Sequence, residues 1–422
     1  MKLYQIRTLL VVLTLFWGAL PAQATTLDDL VSAALAANPE VKASAARWEM
    51  FEQKARAAGT LDDPMLMLGI KNGLAREPLN LNRDMDTARV IGISQMVPFF
   101  GKRELMRAAA THEAEATRWE VEERKLELAA MVKENWYRLY VVDRSLVALE
   151  RSIANLDDLV RFVETMYSVG QGRQADVLRV QLERSKMEEM RLALKQQRRS
   201  LEINLNSLLA RPVETAVPVV DGVELTTTAL DPAVLAKLAD ANRPVLRAMT
   251  ARIGKAEAER ALADREIYPD FTFSFEYMQR NQIVDDDPGY DMYDASVSFN
   301  LPVQHERRRA MIAEATAAQR MAAEEQAMTR NAIRQKIADL VAQAERDRAM
   351  ASLYREGIVP QAGAAVESAL SAYRAGKGEF MQVLDSRMSL LNVERDYYQA
   401  VAEQQMALAL LEAAVGAPLP AQ

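Results

Sequence analysis

The chain has 422 residues, a formal net charge of −7 and no cysteine. An acidic chain whose positive charges are scattered among negative ones is a poor nucleic-acid binder, and the lack of cysteine excludes a thiolate metal site and cysteine redox chemistry. Half of the residues are hydrophobic and only 6% are aromatic, a mixture that favours long helices over compact mixed folds.

The first 24 residues have the features of a secretory signal peptide. Lys2 and Arg7 form a basic start, the segment 9–20 is apolar, and residues 22–24 match the small-x-small cleavage pattern. We expect a mature chain that starts at Thr25. The alternative is a membrane anchor, but the apolar run is too short for one. No later segment is apolar enough for a transmembrane helix, so a mature protein that crosses a membrane would do so with β-strands.

Prolines and glycines of the first half recur in the second half at offsets of 204 to 206 residues. The matching pairs are Pro39 and Pro244, Pro64 and Pro269, Pro98 and Pro302, Gly170 and Gly376, Gly172 and Gly378, and Pro212 and Pro418. We interpret the chain as a tandem duplication. The first repeat covers 25–222 and the second 223–422, with 213–240, including a short helix at 232–240, as the connection between them.

Each repeat predicts a helix, two strands and a long helical hairpin. The leading helices are predicted at 39–58 and 244–264. Residues 271–278 alternate aromatic and polar side chains, which predicts a strand with two different faces. The other predicted strands are 294–300 and, with weaker patterns, 65–71 and 88–97.

The longest predicted helix covers about 102–168, because no proline or glycine occurs between Gly101 and Gly170. Its second half has apolar residues in a sustained heptad pattern, which predicts a left-handed coiled-coil partner. The members of this seam are Leu139, Val142, Leu146, Leu149, Ile153, Leu156, Val160, Val163 and Tyr167. Such a helix is a rod of about 100 Å. We predict its counterpart at 305–373, and returning helices that end near Leu209 and Val415.

Four strands are too few to close a barrel, and a membrane does not permit an open sheet edge. We therefore predict a trimer in which the strands form a 12-stranded barrel of the outer-membrane type and the hairpins form a helical barrel in line with it, which the family resemblance described below implies to be a periplasmic α-barrel. The predicted fold class is thus mainly α with a small β part. The alternative is a soluble four-stranded sheet that packs its aromatic face on helices.

Several short motifs resemble those of the outer-membrane efflux protein family, the TolC-like channels. The motifs are Asn38-Pro39-Glu40, Asp63-Pro64-Met65-Leu66, Gly92-Ile93-Ser94-Gln95, Pro98-Phe99-Phe100-Gly101-Lys102-Arg103, Tyr167-Ser168-Val169-Gly170 and Tyr373-Arg374-Ala375-Gly376. The resemblance covers essentially the whole mature chain. It implies a homotrimeric outer-membrane channel with a periplasmic extension, which docks onto a membrane-fusion adaptor and serves an inner-membrane pump, with the RND type favoured. The motif at 98–103 is similar to members from heavy-metal efflux systems.

The resemblance implies that the two Gly-x-Gly turns lie at the periplasmic tips, where the adaptor packs. The four glycines concerned are Gly170, Gly172, Gly376 and Gly378. Glycine also permits the positive φ values that reverse a helix, and this structural role alone would explain them.

The resemblance also implies a gate at the periplasmic aperture, next to the tips. Asp176 and Asp385 would each form a ring of three carboxylates that attracts cations, and Gln382 occupies a position where the family commonly has a further acid. Arg173 is a candidate partner for a neighbouring acid, and Tyr167 and Tyr373 are candidate hydrogen-bond latches. The simpler explanation of Asp176 is that it stabilises a helix dipole.

We predict no enzymatic activity, no cofactor and no metal site, because no nucleophile–base pair, phosphate loop or paired carboxylate motif is present. Met65, Met67 and Met96 lie near the first strands, where a path for soft metals is conceivable, but methionine is also a flexible filler. The leading prediction is a passive exit duct for a heavy-metal or drug efflux pump. The alternatives are a type I protein secretion channel and a soluble periplasmic coiled-coil adaptor or scaffold.

Overall fold

The computed structural model describes residues 26–77, 80–82, 84–227, 229–282 and 289–419. The predicted signal peptide lies outside these residues. The elements in chain order are α1 Leu27–Ala37, α2 Pro39–Ala57, β1 Met65–Lys71, β2 Ala88–Val97, α3 Lys102–Ser168, α4 Gln174–Leu208, α5 Pro232–Asn242, α6 Pro244–Arg265, β3 Phe271–Arg280, β4 Met292–Phe299, α7 His305–Leu353, a π-helical turn Tyr354–Ile358, α8 Val359–Arg374 and α9 Phe380–Val415. The predicted fold class of the chain, mainly α with four strands in a duplicated unit, is confirmed.

Two helices differ from the prediction. α1 was not predicted, because the sequence analysis started the first helix at Pro39. Thr26 caps α1 in a capping box with Asp29. Asn38 ends α1 with an extended backbone and caps α2, since its side chain accepts a hydrogen bond from the amide of Glu40. The α conformation is unfavourable for a residue that precedes proline. Asn38 precedes Pro39, so α1 and α2 are separate helices.

The predicted helix over 305–373 is present without a gap from His305 to Arg374, but it contains a π-helical turn at Tyr354–Ile358, which the sequence did not predict. Pro360 lies in the first turn of α8. Proline has no amide hydrogen to donate, and in a regular α-helix its ring clashes with the carbonyl one turn earlier. A single wider π-helical turn before Pro360 makes room for the ring and needs no hydrogen bond from it. α3 lacks such a proline and continues through 67 residues.

α3 is the central helix of a layer. Close to the sheet the layer has the order α2–α3–α6–α7. Away from the sheet the order is α4–α3–α9, and α9 then packs against α7 and its continuation α8. The predicted seam of α3 is buried, apart from Tyr167 at its end and the half-buried Leu146 and Val160. Its coiled-coil partner includes α4, whose buried residues recur every seven positions at Val180, Met187, Leu194 and Leu201.

The four strands form one antiparallel sheet in the order β1–β2–β3–β4. β1 and β2 form the hairpin of the first repeat, and β3 and β4 form that of the second. The β2–β3 pairing joins the repeats, for example with Val90 opposite Met278. β1 and β4 are therefore the two edges of the sheet.

A buried lysine joins the sheet to the helices. The Nζ of Lys102, at the start of α3, donates to Asp270 Oδ1 at 3.0 Å and to the carbonyl of Tyr268 at 3.1 Å, and lies 3.4 Å from Glu266 Oε2. Asp270 also accepts from the amide of Phe99 at 2.8 Å. Lys102 is only 1% exposed, so its charge depends on these partners.

Two buried aspartates, Asp143 and Asp347, lie 204 residues apart in the two long helices, and the first of them holds the connection between the repeats. Asp143 accepts hydrogen bonds from Arg198 Nε at 2.5 Å and from the amide of Val220 at 2.9 Å. Asp347 has only the adjacent Arg346 as a cationic hydrogen-bond partner among the described residues. Burial is the main cause that raises the pKa of Asp347 above its ordinary value.

We expect Lys102→Met to lower the free energy of unfolding by about 3 kcal/mol, because it leaves two carboxylates without their buried cation. Urea unfolding of the protein in detergent would measure this loss. Lys42→Met, at an exposed position of α2, is the matched control. Equal stability of the two variants would contradict the role of Lys102.

We expect opposite effects from the two equivalent aspartates. Asp143→Asn should cost about 2 kcal/mol, because it weakens charge-assisted hydrogen bonds to Arg198 and Val220. Asp347→Asn should stabilise the protein at pH 7, because a raised carboxyl pKa means that ionisation becomes destabilising as the pH rises through the folded-state value.

The gain from Asp347→Asn should disappear below the ordinary aspartate pKa of 3.8, where the wild-type carboxyl is protonated in both the folded and the unfolded state. Unfolding curves of both variants at acidic and neutral pH would measure these differences. A gain in stability that is the same at every pH would show that ionisation of the Asp347 carboxyl is not its cause.

Candidate functional site

The sheet has one apolar face and one polar face. Residues directly opposite each other in the register share a face. The apolar side chains of one face are Leu66, Leu68, Ile70, Ile91, Ile93, Val97, Phe271, Phe273, Phe275, Tyr277, Tyr293, Ala295, Val297 and Phe299, and Arg89, Gln95 and Gln279 lie among them near its ends. Most of these side chains are exposed in the single chain. A continuous apolar surface of this kind indicates contact with lipid or protein.

The polar face carries hydroxyl and charged groups. Ser274 and Ser296 share a hydrogen bond of 2.8 Å, and Lys71 lies 3.6 Å from Glu276. Asp294 is directly opposite Glu276 on β4. These groups suit contact with water.

The single chain leaves both edges of the sheet and of the helical layer without a neighbour. β1 and β4 each have one side without a strand partner among the described residues, and such edges are templates for further pairing. The edge helix α4 exposes Leu178, Leu182 and Leu192, and the edge helix α7 exposes Met321 and Met328. In the sheet and in the helical layer alike, one open edge belongs to the first repeat and the other to the second.

The motif at 98–103 builds the joint between the two parts. Phe99 stacks on Tyr268 with ring centroids 4.5 Å apart. Gly101 has a φ of +83°, and the side chain of Arg265 lies where a Cβ would be, donating to the carbonyl of Phe100 at 2.7 Å. The sequence analysis did not identify Lys102 in this joint as a key residue. A lysine in the first turn of a helix is unfavourable for the helix dipole, and this unusual position was the sequence feature that could have identified Lys102.

The two Gly-x-Gly turns have the same backbone hydrogen bonds. Gly170 donates to the carbonyl of Tyr167 at 3.0 Å, and the next amide donates to Met166 at 2.9 Å; the turn at 373–378 repeats this arrangement. Gly170 and Gly376 have φ values of +76° and +70°, which favour glycine.

The second glycine of each turn has a different requirement. A Cβ on Gly172 would lie 2.8 Å from the amide nitrogen of Tyr167, and one on Gly378 would lie 3.0 Å from the Cβ of Ala372. The turn itself therefore requires all four glycines. By contrast, Gly170 and Gly376 have open space around them, so these positions are accessible to another protein.

The structure brings together two of the six predicted gate residues. Tyr373 lies in an aromatic cluster with Phe162 and Phe380, at ring-centroid distances of 6.1 and 5.2 Å. Burial, followed by the negative charge of Asp176, raises the pKa of Tyr373. The ring contact of Tyr373 with Phe162 joins the tip of the second hairpin to the long helix of the first.

The other four gate residues remain at the surface of the single chain. Tyr167, Arg173, Gln382 and Asp385 are exposed, and Arg173 has no carboxylate partner within the described ranges. Asp176 lies in the first turn of α4, so stabilisation of the helix dipole also fits its position. Asp385 lies further along its helix, where this explanation does not apply.

None of the helices in the described part of the chain is both long enough and apolar enough to cross a membrane. Within the same residues, no group of three or more histidine, aspartate or glutamate side chains is arranged to hold a metal ion.

Solved structures show the same fold. VceC, an outer membrane protein of Vibrio cholerae, is 19% identical with a TM-score of 0.78 over 93% of this chain and 96% of its own. CusC is 15% identical with a TM-score of 0.76, over 93% and 92%. The outer membrane channel CmeC of Campylobacter jejuni is 13% identical with a TM-score of 0.78, over 92% and 85%. No curated protein sequence matches the chain.

A family comparison gives the assignment directly. The sequence pattern of the family described as outer membrane efflux protein matches residues 30–211 and again residues 235–417. The two matches cover most of the chain, one in each half of the duplication. The chain therefore belongs to the outer membrane efflux protein family.

Proposed function

We propose that three copies of the chain form a passive exit duct through the outer membrane, with the sheet in the membrane and the helices in the periplasm. The observation that carries this proposal is the pair of open edges shared by a two-faced sheet and a helical layer. Pairing of β1 with β4 of the next copy would remove both sheet edges, and three copies would give twelve strands, an even number typical of such barrels. The apolar face would then contact lipid and the polar face would line the duct.

The finer parts of this proposal concern partners and cargo. We propose that a membrane-fusion adaptor packs at the tips, where Gly170 and Gly376 are accessible, and that an inner-membrane pump of the RND type supplies the energy. Heavy metals or drugs are the proposed cargo. Membership of an efflux family supports these assignments, and the proposal includes no enzymatic step. The repeat boundaries 25–222 and 223–422 are likewise proposed, and the double family match supports them.

We also propose that the tip region contains the gate. Asp176 and Asp385, with Gln382 nearby, would face the aperture in three copies, while Arg173 and Tyr167 would make contacts between copies. Tyr373 already packs within the chain and would hold the two hairpins together. The packing of Tyr373 against Phe162 of the first hairpin and Phe380 of the second supports this arrangement.

Cysteine pairs would test the trimer, because the chain has no cysteine of its own. We expect Leu68→Cys, combined in turn with Tyr293→Cys, Ala295→Cys and Val297→Cys, to give disulfide-linked trimers in at least one combination. Neighbouring strands lie about 4.8 Å apart, within the range that a disulfide bridges. Non-reducing electrophoresis of oxidised outer membranes would detect the products.

The matched control is Leu68→Cys with Tyr277→Cys. Both residues are paired with Ile91, on opposite sides of β2, so they are about 10 Å apart, too far for a bridge. This variant should remain monomeric under the same conditions. Monomers in all three test combinations would contradict closure through β1 and β4.

Replacement of the gate carboxylates should change ion selectivity. We expect Asp176→Ala with Asp385→Ala to lower the preference for potassium over chloride by a factor of about two or more, because charges at a narrow aperture are only partly screened by salt. Reversal potentials in planar bilayers under a potassium chloride gradient would measure this ratio.

The control removes the same charge elsewhere. Glu49→Ala with Glu150→Ala changes two exposed carboxylates that lie away from the tips, and it should leave the ratio nearly unchanged. An equal shift in both double variants would mean that total charge, and not the proposed gate, sets the selectivity.

A further inference from the structure

All methionines of the four strands lie on the polar face of the sheet. They are Met65, Met67, Met96, Met278 and Met292. The apolar face has mostly aliphatic and aromatic side chains, together with Arg89, Gln95 and Gln279, but no methionine. The methionines are therefore specific to one face of the sheet and are not spread over both faces.

Packing does not explain these methionines. A methionine that fills a gap is enclosed, as Met187 is in the helical core with 1% exposure. By contrast, Met65 is 72% exposed, Met67 47% and Met96 46%. The thioethers of these three residues are accessible on the face that also carries the serine hydroxyls, Glu276 and Asp294.

The register gathers Met65, Met67 and Met96 into one cluster. Met65 and Met67 are two residues apart on β1, which places them about 7 Å apart on the same face. Met65 is directly opposite Ser94, two residues before Met96 on β2, so Met65 and Met96 are diagonal neighbours at a similar distance. Met67 and Met96 lie on either side of Met65 and are about 14 Å from each other, so Met65 can share a cation with one of its two neighbours at a time.

A carboxylate lies beside this cluster. Met67 and Glu276 approach each other over Gly92, where an added Cβ would lie 3.3 Å from Met67 Cε and 3.1 Å from Glu276 Cγ. Asp294 is directly opposite Glu276. The neutral sulfur atoms thus have negative charge next to them, part of which Lys71 neutralises from 3.6 Å.

We propose that Met65, together with Met67 or with Met96, binds a soft monovalent cation, copper(I) or silver(I), as cargo on its way through the duct. Thioether sulfur is a neutral, soft ligand that favours such cations over magnesium, calcium or zinc. Weak and exposed binding suits a conduction path, because a cation must leave the site as well as enter it. The assignment rests on the proposed function, since the polar face lines a path only if the sheet closes.

The second group, Met278 and Met292, is a weaker candidate. The two residues are directly opposite each other, but Arg280 Nη1 lies 3.7 Å from Met292 Sδ. The positive guanidinium repels a cation at this distance, and its hydrogen bond to Sδ uses the lone pair that would bind a metal. The cluster on β1 and β2 is therefore the proposed site.

Silver(I) is a suitable probe, because it is stable in air and has the same ligand preference. We expect the full-length protein in detergent to bind silver nitrate in a chloride-free calorimetric titration. Met65→Leu with Met67→Leu and Met96→Leu should weaken this binding by about tenfold or more, the scale on which altered metal sites lose affinity. Leucine conserves volume and apolar character, so the fold should be retained.

The control replaces three other exposed methionines. Met50→Leu with Met321→Leu and Met328→Leu removes the same number of accessible thioethers from α2 and α7, and should leave silver binding unchanged. Equal affinities in the two triple variants, or the absence of binding to the wild type, would overturn the proposed site.

Conductance in potassium nitrate separates this inference from the proposed function. A wild-type protein that conducts in planar bilayers but does not bind silver overturns the methionine site and leaves the duct intact. A protein that binds silver through the three methionines but never conducts supports the site and overturns the duct. Conductance together with binding that the triple variant loses supports both.

Discussion

The structure depends on the packing of one helix, α3. Its 67 residues contact the leading helices α1 and α2, the returning helix α4, and α6 and α9 of the second repeat. The buried seam from Leu139 to Val163 supplies much of this contact, and burial of such side chains contributes roughly 1.5 to 3 kcal/mol each. Because α3 starts at the sheet and ends at the tip, it sets the length of the molecule and the distance between the two ends of the proposed duct.

The duplication repeats the elements but not their chemistry. Lys102, the buried cation of the first joint, corresponds to Glu306 in the second repeat. Arg198, which pairs with Asp143, corresponds to Gln404, which instead binds the backbone of Thr226. The second long helix has a π-helical turn where the first is continuous. The two hairpins therefore share a shape while differing in charge and in backbone regularity.

Local patterns predicted the elements well. The limits of α3, β1 and β2 follow from alternation of side chains and from prolines and glycines, all of which act within a few residues. The same local reasoning missed α1, which is short, and the π-helical turn before Pro360, although a proline inside a helix is itself a local signal. For the tips, the glycines were found from spacing alone, but the structure showed that the first needs a positive φ and the second needs a close approach.

The sequence by itself determined the class of elements, their order and the duplication, because helix and strand periods and turn residues are local properties of the chain. Only the tertiary structure decided the strand order that joins the repeats, the carboxylates that surround Lys102, the approach of Asp176 to Tyr373 and the common face of the strand methionines. Most of these relations join residues that are far apart in the chain. Their free energy comes from burial and pairing between distant segments, which no local pattern encodes.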